Sequence, residues 1–289
     1  MIQNQQAFAP GHISGFFEPV IFENDANRTG SRGSGLSISL GATSSVSVQP
    51  AKTQEIITYI NMEKILLPVT SLTIQKLIGS SPLKIHVNTQ LDLPIGQGFG
   101  MSAAGALSAA LALTKILNIP TEKALAAAHF AEVNLHTGLG DAIGSSFGGI
   151  EIRREAGLPP WGSIEHIPGS YQVVLCIVDK EIPTHTILTN PSQMEKIKYF
   201  GQLCINKIVE TPTVEMFFNL SKWFAQQTGL LSPKVSSALD AVRDFGQASQ
   251  CMLGNSIFAI GNTDQLIQCL SIFGSIYVGS VDIQGARVI

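Results

Sequence analysis

Leu93-Pro94-Ile95-Gly96-Gln97-Gly98-Phe99-Gly100-Met101-Ser102-Ala103-Ala104 is a run of alternate glycines that passes directly into an alanine-rich segment. Glycine at 96, 98 and 100 leaves main-chain N–H groups bare and free to close around an anion. The alanines predict a helix over 102–117, stopped at Asn118-Ile119-Pro120 because proline cannot continue it. Such a helix aims its positive dipole end and its unpaired N–H groups at the same place. Ser102 falls at the helix start, within reach of a phosphate or a phosphate-bound Mg²⁺. The loop therefore points to a nucleotide polyphosphate. The lysine of a Walker loop and the third glycine of a dinucleotide fingerprint would each fall at position 101, which is Met. From the glycines alone, a tight turn before a closely packed helix is an equal reading.

Upstream, Leu83-Lys84-Ile85-His86-Val87 alternates as a strand does and leads into the loop. A helix entered through Pro68 is expected over 65–77, and a half-exposed strand over 36–48. Ala7-Phe8-Ala9-Pro10-Gly11-His12-Ile13-Ser14-Gly15-Phe16-Phe17 reads as a strand, a Pro-Gly turn and a second strand. Arg28-Thr29-Gly30-Ser31-Arg32-Gly33-Ser34-Gly35 reads as an anion-friendly loop or a hairpin tip.

Downstream, Thr121 is expected to cap a second helix that runs through Leu125, His129, Glu132 and His136 to near Gly138. Residues 129, 132 and 136 share a face, which suits a polar stripe lining a site better than a metal centre. Next comes Thr137-Gly138-Leu139-Gly140-Asp141-Ala142-Ile143-Gly144, where Asp141 is either a helix cap or a catalytic group. A strand carrying Arg153 and Arg154 follows. Pro159-Pro160 and Pro168-Gly169 mark an expected domain boundary, giving domains 1–168 and 169–289. The second would hold a buried strand over 171–178 and a polar loop over 179–186 able to close over the site. Helices are expected over 192–209, 213–228 and 232–245, and then a loop-to-strand segment over 248–259.

Composition narrows the classes. A chain of 289 residues with 45% hydrophobic and 13% charged residues describes a compact globular protein. A formal net charge of −3 offers no basic footprint for nucleic acid. No Lys or Arg precedes Arg28, so the start lacks the basic run of a signal peptide, and no apolar stretch is long enough to span a bilayer. Cys176, Cys204, Cys251 and Cys269 show no metal-site or CxxC spacing, which suits buried thiols in a reducing cytoplasm.

The glycine loop resembles that of the GHMP kinases, approximately Pro-x-Gly-x-Gly-Leu-Gly-Ser-Ser-Ala, with Phe99 in place of Leu and Met101 in place of the first Ser. Ala9-Pro10-Gly11-His12 resembles the family's first motif. Ala131-Glu132, Gly140-Asp141 and Gly148-Gly149 resemble the pattern of the mevalonate kinase type, and 248–259 stands where the third motif belongs, its glycine cluster reduced to Gly254. The resemblance implies an α+β, two-domain GHMP kinase fold: an N-terminal domain carrying the phosphate loop and a C-terminal ferredoxin-like domain. It implies ATP bound by Pro94, Gly96, Gly98, Phe99, Gly100, Met101, Ser102 and Ala103. Mg²⁺ would be held by Ser102 and Glu132, with Asp141 accepting or orienting the substrate hydroxyl. The stretches 8–17, 30–35 and 252–259 further resemble archaeal pantoate kinases. This implies pantoate as the small-molecule substrate, phosphorylated on the way to coenzyme A, and a homodimer. Pantoate would meet His12, Ser31, His129, Thr184 and Arg153 or Arg154. Other alcohols such as homoserine and mevalonate, or a catalytically silent nucleotide-binding relative, are the alternatives.

Overall fold

The computed structural model describes every residue except Met1 and Pro183, and leaves out the side chain of Thr184. The chain opens with two long antiparallel strands, β1 (Gln3–Val20) and β2 (Gly30–Pro50), followed by β3 (Glu55–Ile60) and β4 (Glu63–Lys64). Helix α1 (Pro68–Ile78) leads to β5 (Leu83–Leu91), the glycine loop and α2 (Met101–Leu117). Then come α3 (Glu122–Leu135), α4 (Asp141–Phe147), β6 (Ile150–Glu155) and β7 (Ser163–Ile167). The second part runs β8 (Gln172–Ile177), α5 (Thr184–Leu188), α6 (Pro191–Glu210), α7 (Val214–Thr228), α8 (Pro233–Val242), β9 (Gly246–Gln250), β10 (Ser256–Gly261), α9 (Thr263–Leu270), β11 (Ser275–Ser280) and β12 (Arg287–Val288).

Two sheets result. The larger has the order β12-β1-β2-β5-β3-β4, with β6 paired to the first half of β2 and β7 to β6. The smaller is antiparallel in the order β11-β8-β10-β9, so its first strand in sequence sits between the third and the fourth. With helices between β8 and β9 and between β10 and β11, that is the ferredoxin-like arrangement. The fold is thus α+β, in two parts. The last strand, β12, returns to the first sheet beside β1.

Two local expectations change. Pro10-Gly11 is not a turn: β1 runs through it, with register shifts at Pro10/Gly11 and again between Ser14 and Phe16. A bulge accommodates a residue that has no N–H for the ladder and re-aims the side chains beyond it. Nor is 30–35 a loop. It is the start of β2, with Gly33 and Gly35 directly opposite Arg153 and Glu151 of β6. The two arginines expected to greet an anion are engaged elsewhere. Arg32 pairs with Glu18 at 3.1 Å and Arg28 lies over the Phe22 ring at 4.1 Å.

Helix α2 is buried on nearly all sides, as an alanine helix without a polar face must be. It begins one residue before Ser102, with Gly100 as a left-handed cap at φ 63°. Thr121 does not cap α3 through its side chain; it is itself helical, at φ −61° and ψ −32°. His136 is the left-handed residue that ends α3, so it leaves the face shared by His129 and Glu132. Among the described residues, no helix is long and apolar enough to cross a membrane.

An aromatic stack joins the two sheets. Phe16 of β1, Phe217 of α7 and Phe258 of β10 are buried, with ring centroids 6.4 and 5.8 Å apart in turn. Phe217→Ala would leave a cavity between the sheets, where neither can collapse independently. We expect it to lower unfolding free energy by about 3–5 kcal/mol, measured by urea titration.

Candidate functional site

The site is a cleft of about 320 Å³ between the glycine loop and the start of α2 on one side and the α3–α4 turn on the other. Gly96 and Gly98–Ala103 line the first wall, and Glu132 and Thr137–Asp141 the second. Pro94 is exposed and stands outside the lining. Gly96, Gly98 and Gly100 all take positive φ, at 83°, 78° and 63°, the region that side chains disfavour. The loop is tied down from beneath, where the His12 N–H donates to the Phe99 carbonyl at 2.9 Å.

The third-motif segment braces the loop from the second sheet. A Cβ on Gly254 would stand 2.2 Å from the Gln97 carbonyl, and one on Gly98 would stand 2.8 Å from that of Cys251. Ser256 Oγ donates to the Gln97 carbonyl as well. The single glycine left in that motif is therefore the one at the contact. The polar loop after β8 is held by Gln97 Nε2, which donates to the Asp179 carbonyl, and by Asn255 Nδ2, which donates to that of Lys180. Glu181, Ile182, His185 and Leu188 close that end of the cleft.

Asp141 opens α4 but makes no capping bond. Its Oδ1 lies 2.8 Å from His12 Nδ1, while His12 Nε2 lies 2.8 Å from Glu151 Oε1. The His12 ring is fully buried between two carboxylates. Each acceptor needs an N–H, so both ring nitrogens donate and the ring is an imidazolium. Burial pushes the imidazole down, but the charges and hydrogen bonds of Glu151 and Asp141 outweigh it and hold the pKa at about 9. Arg153 is 1% exposed and pairs with Glu151, with its Nη2 3.4 Å from Ser14 Oγ. Its Nε has no partner and sits behind Gly140, where a Cβ would lie 3.0 Å from it. Arg154 points the other way, to Glu165 at 3.1 Å.

Glu132 is buried, with Oε2 accepting the Ala142 N–H at 3.1 Å. Burial, and then the nearby Asp141 carboxylate, push its pKa up. A buried and a half-buried acid facing one cleft favour a hard cation there, since a cation would relieve both effects. Ser102 across the cleft adds a neutral oxygen. Among the described residues, no cluster of three or more His, Cys, Asp or Glu side chains could hold a metal unaided. A donor set of one carboxylate and one hydroxyl suits Mg²⁺, which takes few protein ligands and completes its shell with phosphate oxygens and water.

The remaining predicted residues divide. Ser31 lines the cleft and donates to the Leu139 carbonyl at 3.3 Å. His129 does not line it. Its Nε2 lies 3.0 and 2.8 Å from the carbonyls of Ala26 and Thr29, and burial lowers its pKa, so a neutral ring braces the turn before β2. The Thr184 side chain lies outside the described residues. Glu151 went unmarked in the sequence. Its only signal is the spacing Glu-x-Arg on one strand face, directly after the Asp141 turn.

Residues 66–149, which hold the glycine loop, Glu132 and Asp141, match the GHMP kinases N terminal domain. The chain is 35% identical over 271 residues to a pantoate kinase of Methanocaldococcus jannaschii, spanning 92% of this chain and 96% of the relative. The chain belongs to the GHMP kinases. A pantoate kinase of Thermococcus kodakarensis is 32% identical to this GHMP kinase over 263 residues, 88% of this chain and 87% of the other. A solved structure described as a phosphotransferase related to the CoA biosynthesis pathway superposes on this kinase with a TM-score of 0.89. It is 27% identical and covers 99% of each chain.

The upward shift of His12 has a consequence for stability. A raised pKa means that the folded kinase holds a proton the unfolded chain gives up near 6.5. The stability that proton contributes is whole below pH 6.5 and is lost once pH passes about 9. The raised Glu132 acts with the same sign, since the folded state again holds the extra proton. Urea titrations at about pH 6.5 and about pH 9.5 should show wild type losing more stability than His12→Gln, by on the order of a few kcal/mol.

Proposed function

We propose that this GHMP kinase transfers the γ-phosphoryl group of ATP to the 4-hydroxyl of (R)-pantoate, giving 4-phosphopantoate and ADP on a route to coenzyme A. The observation that carries the reading is the Asp141 carboxylate, held by His12 on the cleft wall across from the glycine loop. The kinship with pantoate kinases supports the substrate.

Phosphoryl transfer asks a protein chiefly for positioning and charge neutralisation. The N–H groups of the glycine loop and the start of α2 receive the triphosphate. The described residues that line the cleft include no lysine or arginine, so these dipoles carry much of the neutralisation. Ser102 Oγ and Glu132 would hold Mg²⁺, which supplies charge stabilisation on the phosphate oxygens. His12 occupies Asp141 Oδ1, which leaves Oδ2, beside Gly138 on the cleft wall, to accept the hydroxyl proton of the substrate. Ser31 on the cleft wall and the unpaired Nε of Arg153 behind Gly140 are assigned to the pantoate carboxylate.

The reading extends to a division into domains 1–168 and 169–289, supported by sheet membership everywhere except at β12. It includes a homodimer, which light scattering tests. It also includes a cytoplasmic setting, which the buried thiols of Cys176, Cys204 and Cys251 suit.

ADP release with ATP, Mg²⁺ and a panel of pantoate, homoserine and mevalonate tests the substrate. Turnover on pantoate alone is expected, and turnover confined to another alcohol discards pantoate while keeping the mechanism. Asp141→Asn should lower kcat by at least ~10²-fold with little change in KM for ATP; near-normal turnover rejects its role. Ser102→Ala should raise the Mg²⁺ concentration needed for half-maximal rate, and an unchanged Mg²⁺ curve removes that ligand.

A further inference from the structure

Glu151 takes no part in the chemistry just described, yet it is a carboxylate with no solvent exposure at the centre of the structure. We infer that Glu151 is a positioning residue for phosphoryl transfer: braced by Arg153, it fixes the His12 ring and, through that ring, the carboxylate of Asp141. The inference rests on the reading of Asp141 as the group that meets the substrate hydroxyl.

The geometry gives the ring one place to be. On β2, Gly35 faces Glu151 and Gly33 faces Arg153, so the long charged side chains of β6 have room beside the ladder. A Cβ on Gly35 would lie 2.6 Å from His12 Nε2 and 2.9 Å from Glu151 Oε1. On the other side, a Cβ on Gly144 of α4 would lie 2.2 Å from His12 Cδ2. The imidazole is therefore slotted between β2 and α4, and the missing side chains are what admit it. Within the slot, its angle is set by its two polar atoms. Nδ1 reaches Asp141 and Nε2 reaches Glu151, both at 2.8 Å. Turning the ring over would exchange nitrogens for carbons and break both bonds together.

The charged groups facing the ring are Asp141 from α4, Glu151 and Arg153 from β6, and Glu132 from α3. Arg153 pairs with the same Glu151 oxygen that meets His12, so Glu151 serves as a shared acceptor for two buried cations. Without Glu151, the ring keeps only the bond to Asp141, and its angle within the slot is no longer fixed at both nitrogens. Asp141 is 26% exposed and takes its only side-chain partner from this ring among the described residues, so the substrate-facing oxygen loses its fixed direction. Positioning of this kind affects the rate rather than ATP affinity, because the glycine loop is held by the His12 backbone and not by its ring.

The conservative variant is Glu151→Gln, which keeps the size and removes the charge. Three readouts separate positioning from mere folding. The first needs neither variant nor substrate: ¹⁵N NMR of the imidazole at about pH 7.5 should show both His12 nitrogens protonated in the wild type. One unprotonated nitrogen overturns the proposal, whatever the substrate proves to be. Second, Glu151→Gln should lower kcat by about 10-fold or more, within the ~10²–10⁴ that a positioned acid–base group supplies, and leave KM for ATP within about twofold. Unchanged kcat, or a rise in KM for ATP alone, overturns it. Third, in a His12→Gln background the same change should cost less than about twofold, because a residue that acts through His12 has nothing left to act on. Full additivity overturns it. The kinetic arms use whichever alcohol the substrate panel identifies, so failure of the pantoate reading remains distinct from failure of this one.

Discussion

His12 joins both halves of the site. Its backbone N–H holds the glycine loop at Phe99, and its ring holds Asp141. The glycine loop and the Asp141 carboxylate are therefore referenced to one residue on one strand. That strand connects much of the fold: β1 pairs with β2 and β12, supports α2, and carries Phe16 into the stack that reaches the second sheet. The bulge at Pro10/Gly11 comes immediately before His12 and sets the direction in which its ring leaves the strand. A phosphotransfer site needs donor and acceptor groups aligned more tightly than two independent loops would allow, and a common origin in β1 provides that alignment.

This arrangement works against stability. His12, Glu132, Glu151 and Arg153 are all buried, and ions taken out of water repay their desolvation only with good partners. Here the repayment is incomplete: Glu151 Oε2 and Arg153 Nε are buried without partners. An apolar cluster of similar volume would fold at least as well. The cluster is understandable as a device that fixes orientation, and the glycines opposite it on β2 show how much backbone is given over to it. Glu132 is a different case, because its carboxylate is raised by burial and by Asp141 and faces the cleft. Its environment favours a cation, whereas that of Glu151 is already neutralised.

The sequence made some of this legible and concealed the rest, for physical reasons. The glycine loop, α2, the helices α6 to α8 and the Asp141 turn could be read because their signals are local: a backbone that must turn, alanines that must pack, caps and proline stops. The Gly30–Gly35 stretch was misread because glycine and serine carry the same weight in a loop as in a strand that must leave room for a neighbour. Only pairing distinguishes them, with β1 along the whole stretch and with β6 from more than 100 residues away in the chain. His129 shares a helix face with Glu132, but it lies one turn earlier, outside the cleft, and its ring finds two carbonyls instead. Glu151 had no local signature beyond the Glu-x-Arg spacing. A lone acid in a strand reads as solvent-facing, and its burial follows from Arg153 and His12 together.

The third-motif segment shows how the second sheet enters the chemistry without contributing a charged group to the cleft wall. Residues 251–256 press on the underside of the glycine loop through main-chain contacts at Gly254 and Cys251, and Met252 N–H donates to the Ser14 carbonyl on β1 at 3.0 Å. Backbone contacts of this kind carry no side-chain identity, so a motif can shed most of its recognisable residues and keep its function as long as the glycine at closest approach remains. The reduction of the motif to Gly254 is therefore no sign of a failing site. The contacts at Gly254 and Ser256 also tie the shape of the glycine loop to the placement of β9 and β10.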